Sequence, residues 1–219
     1  INARISGGQF NTSSLQTESL PIVGVQLASD LSMLPWSMRS YAPVIENVAN
    51  TNALVRVFQN GQKIYEKTVP AGPFRITDLT SFASGAMTLE ITENGGEKKT
   101  YIIPVQNNMN LLKYGQKTFS IALGNYKTIE KLTDDSVLQG SYNYGLNNYL
   151  TLLSGINLTE DYQGVLLGAG LNTFFGGISI KTNASSATWQ DQDYNGQKVA
   201  LDYSYYMPVY KMNFYANAQ

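Results

Sequence analysis

The 219-residue chain contains no cysteine and no histidine. The first absence excludes a disulfide framework and thiolate metal sites, and the second removes the commonest general base and metal ligand. Most metalloenzyme and catalytic-triad chemistry therefore has no residues to run on, and no catalytic set, cofactor or small-molecule substrate is expected. Charge is scarce as well, at 14% of residues against the ~25% usual in soluble domains. Fifteen Lys and Arg stand against sixteen Asp and Glu for a net charge of -1. With no basic block, nucleic acid is not an expected partner. No apolar run reaches the ~18 to 20 residues of a spanning helix, and INARISGGQF is not a signal peptide. A membrane, if the chain meets one, is met with strands.

What is present fits that condition. Apolar residues make up 43%, enough for a core, and 15 Tyr with 19 Gly beside so few charges suit a membrane β-barrel. Both ends, Ile1 and Gln219, lie in strand-like text, which reads as an internal stretch of a longer chain.

From about Lys117 onward, apolar and polar residues alternate with period 2. In TFSIALGNY, Phe119, Ile121 and Leu123 alternate with Thr118, Ser120 and Ala122; in VLLGAGLN, Val165, Leu167 and Leu171 alternate with Leu166, Gly168 and Asn172. Alternation fits a half-buried soluble sheet or a lipid-facing barrel. Loop rhythm separates the two. Long KTIEKLTDDS and NASSATWQDQDYNGQ contrast with tight LNN, FFGG and MPV, the extracellular-loop and periplasmic-turn pattern of outer-membrane barrels. Tyr149, Phe174, Phe175, Tyr206 and Tyr210 collect at strand ends, where an aromatic girdle would sit.

Residues 42 to 106 have a different texture. Five of the seven prolines fall between Pro35 and Pro104, and QNGQ and ENGGEK are hairpin signals. Short strands are predicted at Val44 to Val48, Ala53 to Gln59, Lys63 to Val69, Phe74 to Leu79, Met87 to Thr92 and Thr100 to Val105, a small β-sandwich with charged outer faces. VPAGPF, Val69 to Phe74, reads as a rigid corner, because its two prolines remove the N–H donors an anion-binding loop would need. The expected fold is all-β: barrel strands and a tether at 1–40, a sandwich at 41–106, and about seven barrel strands at 107–219.

Some motifs invite a chemical reading. DQDYNG resembles half of a calcium loop, with Asp191, Asp193 and Asn195 in ligand positions and Asp202 twelfth. Its flanks are strands and its twelfth position lacks Glu, so it reads as a polar extracellular loop with no metal. Asp134 with Asp135, and Glu93 with Glu97, are the available carboxylate pairs, but they read as exposed and divergent rather than as an acid and base. No enzyme is expected.

GVQLASDLSMLP (Gly24 to Pro35), YAPVIENVANTNALVRVFQNGQKIYEKTVPAGPFRITDL (Tyr41 to Leu79) and LEITENGGEK (Leu89 to Lys98) resemble the middle region of the outer-membrane ushers of the chaperone–usher pilus pathway. The chain departs from the family pattern at Leu31, usually acidic, at Asn47, usually Gly, and at Ala71, often Pro. The resemblance implies a 24-stranded transmembrane barrel in the bacterial outer membrane, closed by a plug inserted after its sixth strand. It implies outer-membrane lipid, pilus subunits and periplasmic chaperone–subunit complexes as partners. On that frame, Ser29, Asp30, Pro35, Ser37, Ser40, Asn107 and Asn108 are candidate plug tethers, and Arg4, Lys181, Lys198, Asp202 and Lys211 are candidate lumen-facing residues. The alternative is a soluble β-sandwich binding module such as an adhesin.

Overall fold

The computed structural model describes residues 2–14, 16–34, 43–79, 87–103, 105, 110–127, 132–173, 175–190, 192–207, 210 and 212–219. These residues form fifteen strands and one 3-10 turn. In chain order they are β1 (Ala3–Asn11), β2 (Pro21–Ser29), the turn Leu31–Met33, β3 (Ile45–Ala49), β4 (Ala53–Gln59), β5 (Gln62–Val69), β6 (Gly72–Ile76), β7 (Met87–Glu93) and β8 (Lys98–Ile103). There follow β9 (Lys117–Lys127), β10 (Leu132–Gly145), β11 (Leu150–Leu158), β12 (Tyr162–Thr173), β13 (Gly176–Trp189), β14 (Gln192–Met207) and β15 (Met212–Ala218).

Nine strands form one antiparallel sheet in the order β1-β2-β9-β10-β11-β12-β13-β14-β15. β2 pairs directly with β9, from Ile22 opposite Tyr126 to Ala28 opposite Ser120. Everything between them in sequence is thus an excursion from a continuous wall. That excursion is the sandwich: β3-β6 on one side and β5-β4-β7-β8 on the other. Strict alternation in β4 and β7 turns Val55, Val57, Leu89 and Ile91 inward, where they meet Ile45, Ile76, Leu79 and Val105. Asn60 and Gly61 both have positive φ, 51° and 81°, the geometry a two-residue hairpin with the right twist requires. The VPAGPF corner passes from β5 to β6 through Gly72 at φ 119°.

The wall has two unlike faces. Ile121, Leu123, Leu152, Ile156, Val165, Leu167, Ile180 and Leu201 share one and are exposed. Their neighbours in sequence share the other, where Gln26, Ser120, Gln139, Ser141, Asn143, Thr151, Asn172 and Ser179 are buried. An exposed apolar face of this extent is not a surface for water.

Two expected loops carry strand among their described residues. β13 runs to Trp189 and β14 resumes at Gln192, so NASSATWQDQDYNGQ is a hairpin paired from Asn183 opposite Lys198 to Trp189 opposite Gln192. β10 begins at Leu132 and carries an irregularity between Leu132 and Ser136, shortening the KTIEKLTDDS connection. From Asn183 to Gln197 the hairpin has few large apolar residues on either face, which erases the alternation from the sequence while the backbone ladder continues.

Candidate functional site

One register row crosses the polar face of the wall. Gly145 lies opposite Thr151, Thr151 opposite Gly170, Gly170 opposite Ser179, Ser179 opposite Asp202, and Asp202 opposite Asn217. The segment 110–116, which returns the chain from the sandwich to β9, lies along this row. The Asn110 side-chain amide donates to Ser179 Oγ at 2.8 Å and Asp202 Oδ2 at 3.4 Å, and Leu112 N donates to Thr151 Oγ1 at 3.0 Å. At Gly170 a Cβ would stand 2.7 Å from the Asn110 carbonyl oxygen, and at Gly145 one would stand 2.1 Å from that of Lys113. Both glycines are notches for the segment's backbone. The segment closes on Gly115, whose N–H donates to Gly145 O, while Gly145 N–H donates to Gln116 O, extending the β9-β10 ladder.

Asp202 anchors the far end of the row. Its carboxylate accepts from Lys181 Nζ at 3.0 Å and Ser179 Oγ at 2.9 Å, and also from Asn217.

A second segment covers the same face higher along the strands. The β1-β2 connection folds inward: Gln139 Nε2 donates to Glu18 O at 2.8 Å, and Gln26 Nε2 to Ser13 O at 3.0 Å and Ser120 Oγ at 2.6 Å. Gln16 Nε2 reaches Asn110 Oδ1 at 3.4 Å, joining the two coverings. Gln26 pairs both ends of its buried amide in this way, its Oε1 accepting from Ser13 N at 3.3 Å.

The sandwich meets the wall at the end where β10 turns into β11. Asn148 clasps Val44 on both sides of its peptide, accepting from Val44 N at 3.1 Å and donating to Val44 O at 2.8 Å. Asn147 shapes that turn by accepting from Tyr149 N and Leu150 N, each at 2.8 Å. Leu111, 6% exposed, completes the sandwich core from below. Lys113 Nζ reaches Leu79 O at 3.4 Å, and burial pushes its pKa down. Arg75 stacks over the Tyr114 ring at 5.2 Å. A crevice of about 460 Å³ remains between the bodies, lined by Val44, Asn47, Tyr101, Ile102, Asn148 and Tyr149 among others.

The residues singled out in the sequence fall in several places. Arg4, Lys181, Lys198 and Asp202 stand at polar-face positions of β1, β13 and β14, and Lys211 lies outside the described residues. Arg4 pairs with Asp30 at 3.6 Å. Ser29 ends β2 and accepts from Phe119 N at 2.8 Å; Asp30 caps the 3-10 turn by accepting from Ser32 N at 2.9 Å. Pro35, Ser37, Ser40, Asn107 and Asn108 lie outside the described residues, as does Asp191. Asp193 accepts from the Thr188 hydroxyl at 2.8 Å, with Asn195 two positions along the same face of β14. Asp202 is seven residues beyond Asn195, about 23 Å along the strand and on the opposite face, so these side chains do not converge. Gly145, Gly170, Thr151, Leu111 and Asn148 went unrecognised in the sequence. The one available signal was small or hydroxyl residues recurring at polar-face positions, which has no period of its own.

A family model described as outer membrane usher protein matches residues 1–217. The chain is 39% identical over 215 residues to the outer membrane usher protein HifC of Haemophilus influenzae, covering 98% of this chain and 25% of HifC. It is 38% identical to the outer membrane usher protein HtrE of Escherichia coli K12, covering 93% and 24%. Among solved structures, an E. coli P pilus tip assembly intermediate, PapC-PapD-PapK-PapG, aligns at a TM-score of 0.65 and 33% identity over 93% of this chain and 26% of that one. The translocation pore of the P pilus usher PapC aligns at 0.53 and 32% identity, over 93% and 42%. The chain spans about a quarter of the length of the curated relatives it matches. With its fold and nearly all its residues matched in this way, the chain belongs to the outer membrane usher family.

Proposed function

We propose that this chain is the gate section of a protein-translocating pore that secretes and assembles pilus subunits across the bacterial outer membrane. Its nine-stranded wall is an arc of a closed barrel, 24-stranded as in the family, with the apolar face toward lipid and the polar face toward the lumen. The sandwich, bounded near residues 41 and 106, is the plug that closes this lumen at rest and leaves it when chaperone–subunit complexes arrive. The work is mechanical, a change in population between shut and open positions, rather than chemical.

The observation that carries this reading is the direct pairing of β2 with β9 around the sandwich. A domain inserted this way interrupts neither the ladder nor the wall, so it can change position while the barrel stays closed. The exposed apolar face disfavours the soluble-module alternative, which would have to hide it from water. The test is the ion conductance of the full-length protein in a planar bilayer with and without residues 43–103. Deletion is expected to raise the resting conductance at least severalfold; an unchanged leak would refute the plug role.

A further inference from the structure

The segment 110–116 joins the sandwich to β9, where a gate that moves would ordinarily have a loose tether. It is instead built into the wall. Strands lie about 4.8 Å apart, so the row from Ser179 to Gly145 spans about 14 Å. Three residue steps from Asn110 to Lys113 can reach about 10 Å of that, and the Asn110 side chain supplies the rest. Each crossing has its own fitting: Ser179 and Asp202 under Asn110, the Gly170 notch under its carbonyl, Thr151 under Leu112, and the Gly145 notch under Lys113. A segment keyed in this way stays with the wall.

Leu111 is then the point of interest. It belongs to the same core cluster as Val55, Leu89 and Ile91 of the sandwich, yet its backbone is held by the strap, and its Cδ2 lies 3.4 Å from where a Gly170 Cβ would be. The side chain is inserted from one body into the other. We propose that residues 110–116 are a fixed strap of the barrel wall and that Leu111 is a knob on it, seated in the sandwich core, which must withdraw when the sandwich changes position. Gly170 and Gly145 are positioning residues for that strap. The proposal rests on the reading of the sandwich as a moving gate, and it locates the break between moving and static parts at one side chain.

The experiment uses the full-length protein. Leu112→Cys combined with Thr151→Cys, oxidised, ties the strap to the row. Conductance is read on adding a chaperone–subunit complex, and opening is expected within twofold of the reduced form. A single Leu111→Cys variant reports the knob through its rate of modification by a maleimide. That rate is expected to be slow at rest and at least tenfold faster once the complex is added. Gly170→Ala should raise the resting rate severalfold by displacing the strap. Gly7→Ala, on the apolar face with its nearest neighbour 3.8 Å away, should leave it unchanged. A strap that blocks opening when tied, or a Leu111→Cys rate indifferent to opening, overturns the proposal. If the wild-type protein fails to open on adding the complex, the gate reading itself fails and the knob's role with it. If it opens while the Leu111→Cys rate stays flat, the knob alone is wrong.

Discussion

The Glu93 carboxylate, at the end of β7, accepts from Asn50 N at 3.0 Å, Thr51 N at 2.8 Å and Thr51 Oγ1 at 2.5 Å. It thereby fixes the corner where the chain leaves β3 for β4 and crosses from one sheet of the sandwich to the other. The Thr51 hydroxyl, followed by the two backbone amides, holds this carboxyl below its ordinary range. A carboxylate with a lowered pKa contributes stability that is fully present above its unfolded value of about 4.3 and is lost as the pH falls through the folded value. Acid should therefore loosen this corner, while neutral pH keeps it closed. Amide hydrogen exchange at Asn50 and Thr51, corrected for the intrinsic rate, should accelerate in the wild type as the pH falls below the ordinary carboxylate range. In Glu93→Gln it should already be about tenfold faster at neutral pH and nearly flat with pH. Equal protection in the two proteins at pH 7 would show that the carboxylate is not what closes the corner. The Glu97 carboxylate, by contrast, is exposed and pairs with Lys99 at 3.6 Å.

At the scale of elements, β4 and β7 are where the sandwich keeps its stability, because each buries every second side chain against the opposite sheet. Leu89→Ala removes a side chain that is 1% exposed and should cost about 2–5 kcal/mol in denaturant unfolding of the sandwich. Thr88→Ala, one residue away on the outer face, should cost under about 1 kcal/mol. Similar costs at both positions would mean the alternation does not govern the packing. The same alternation explains what the sequence discloses. All six sandwich strands, the Asn60-Gly61 hairpin and the two faces of the wall are legible, since each is written in apolar period or turn chemistry. The β13-β14 hairpin beyond Thr182 is not, because its backbone pairs without apolar residues to mark it. The strap and the inward-folded 12–20 connection are least legible of all. They are held by amide and hydroxyl contacts across 39 to 121 residues of sequence, and by glycines whose use is visible only once a second backbone lies above them.

At the scale of the whole molecule, the apolar band does not follow the hydrogen-bond rows. On β9 it is centred on Ile121 and bounded by Lys117 and Lys127, ten steps apart, about 33 Å along the strand. Strands inclined at ~40° would turn that length into the ~25 Å of a lipid-facing band. The row through Ile121 runs by way of Gly140, Ile156, Val165 and Ala184 to Gln197 on β14. There the band is centred instead near Leu201. A drift of four to five residues over five strand spacings corresponds to a tilt of about 30–35°, which adjoins the range for barrel walls and supports the reading of this sheet as an arc of one. The tilt makes a prediction that a soluble sheet does not share. Ile121→Lys places an ammonium at the centre of the band and should cost about 2–4 kcal/mol when the full-length protein is folded into lipid vesicles and titrated with denaturant. Gln197→Lys, on the same row, lies clear of the band and should cost less than about 1 kcal/mol. Leu201→Lys, four steps along β14 from Gln197 and on the same face, should match Ile121→Lys. If costs instead follow the row, with Ile121→Lys and Gln197→Lys alike, then the strands stand upright and the wall does not cross a membrane as part of a barrel.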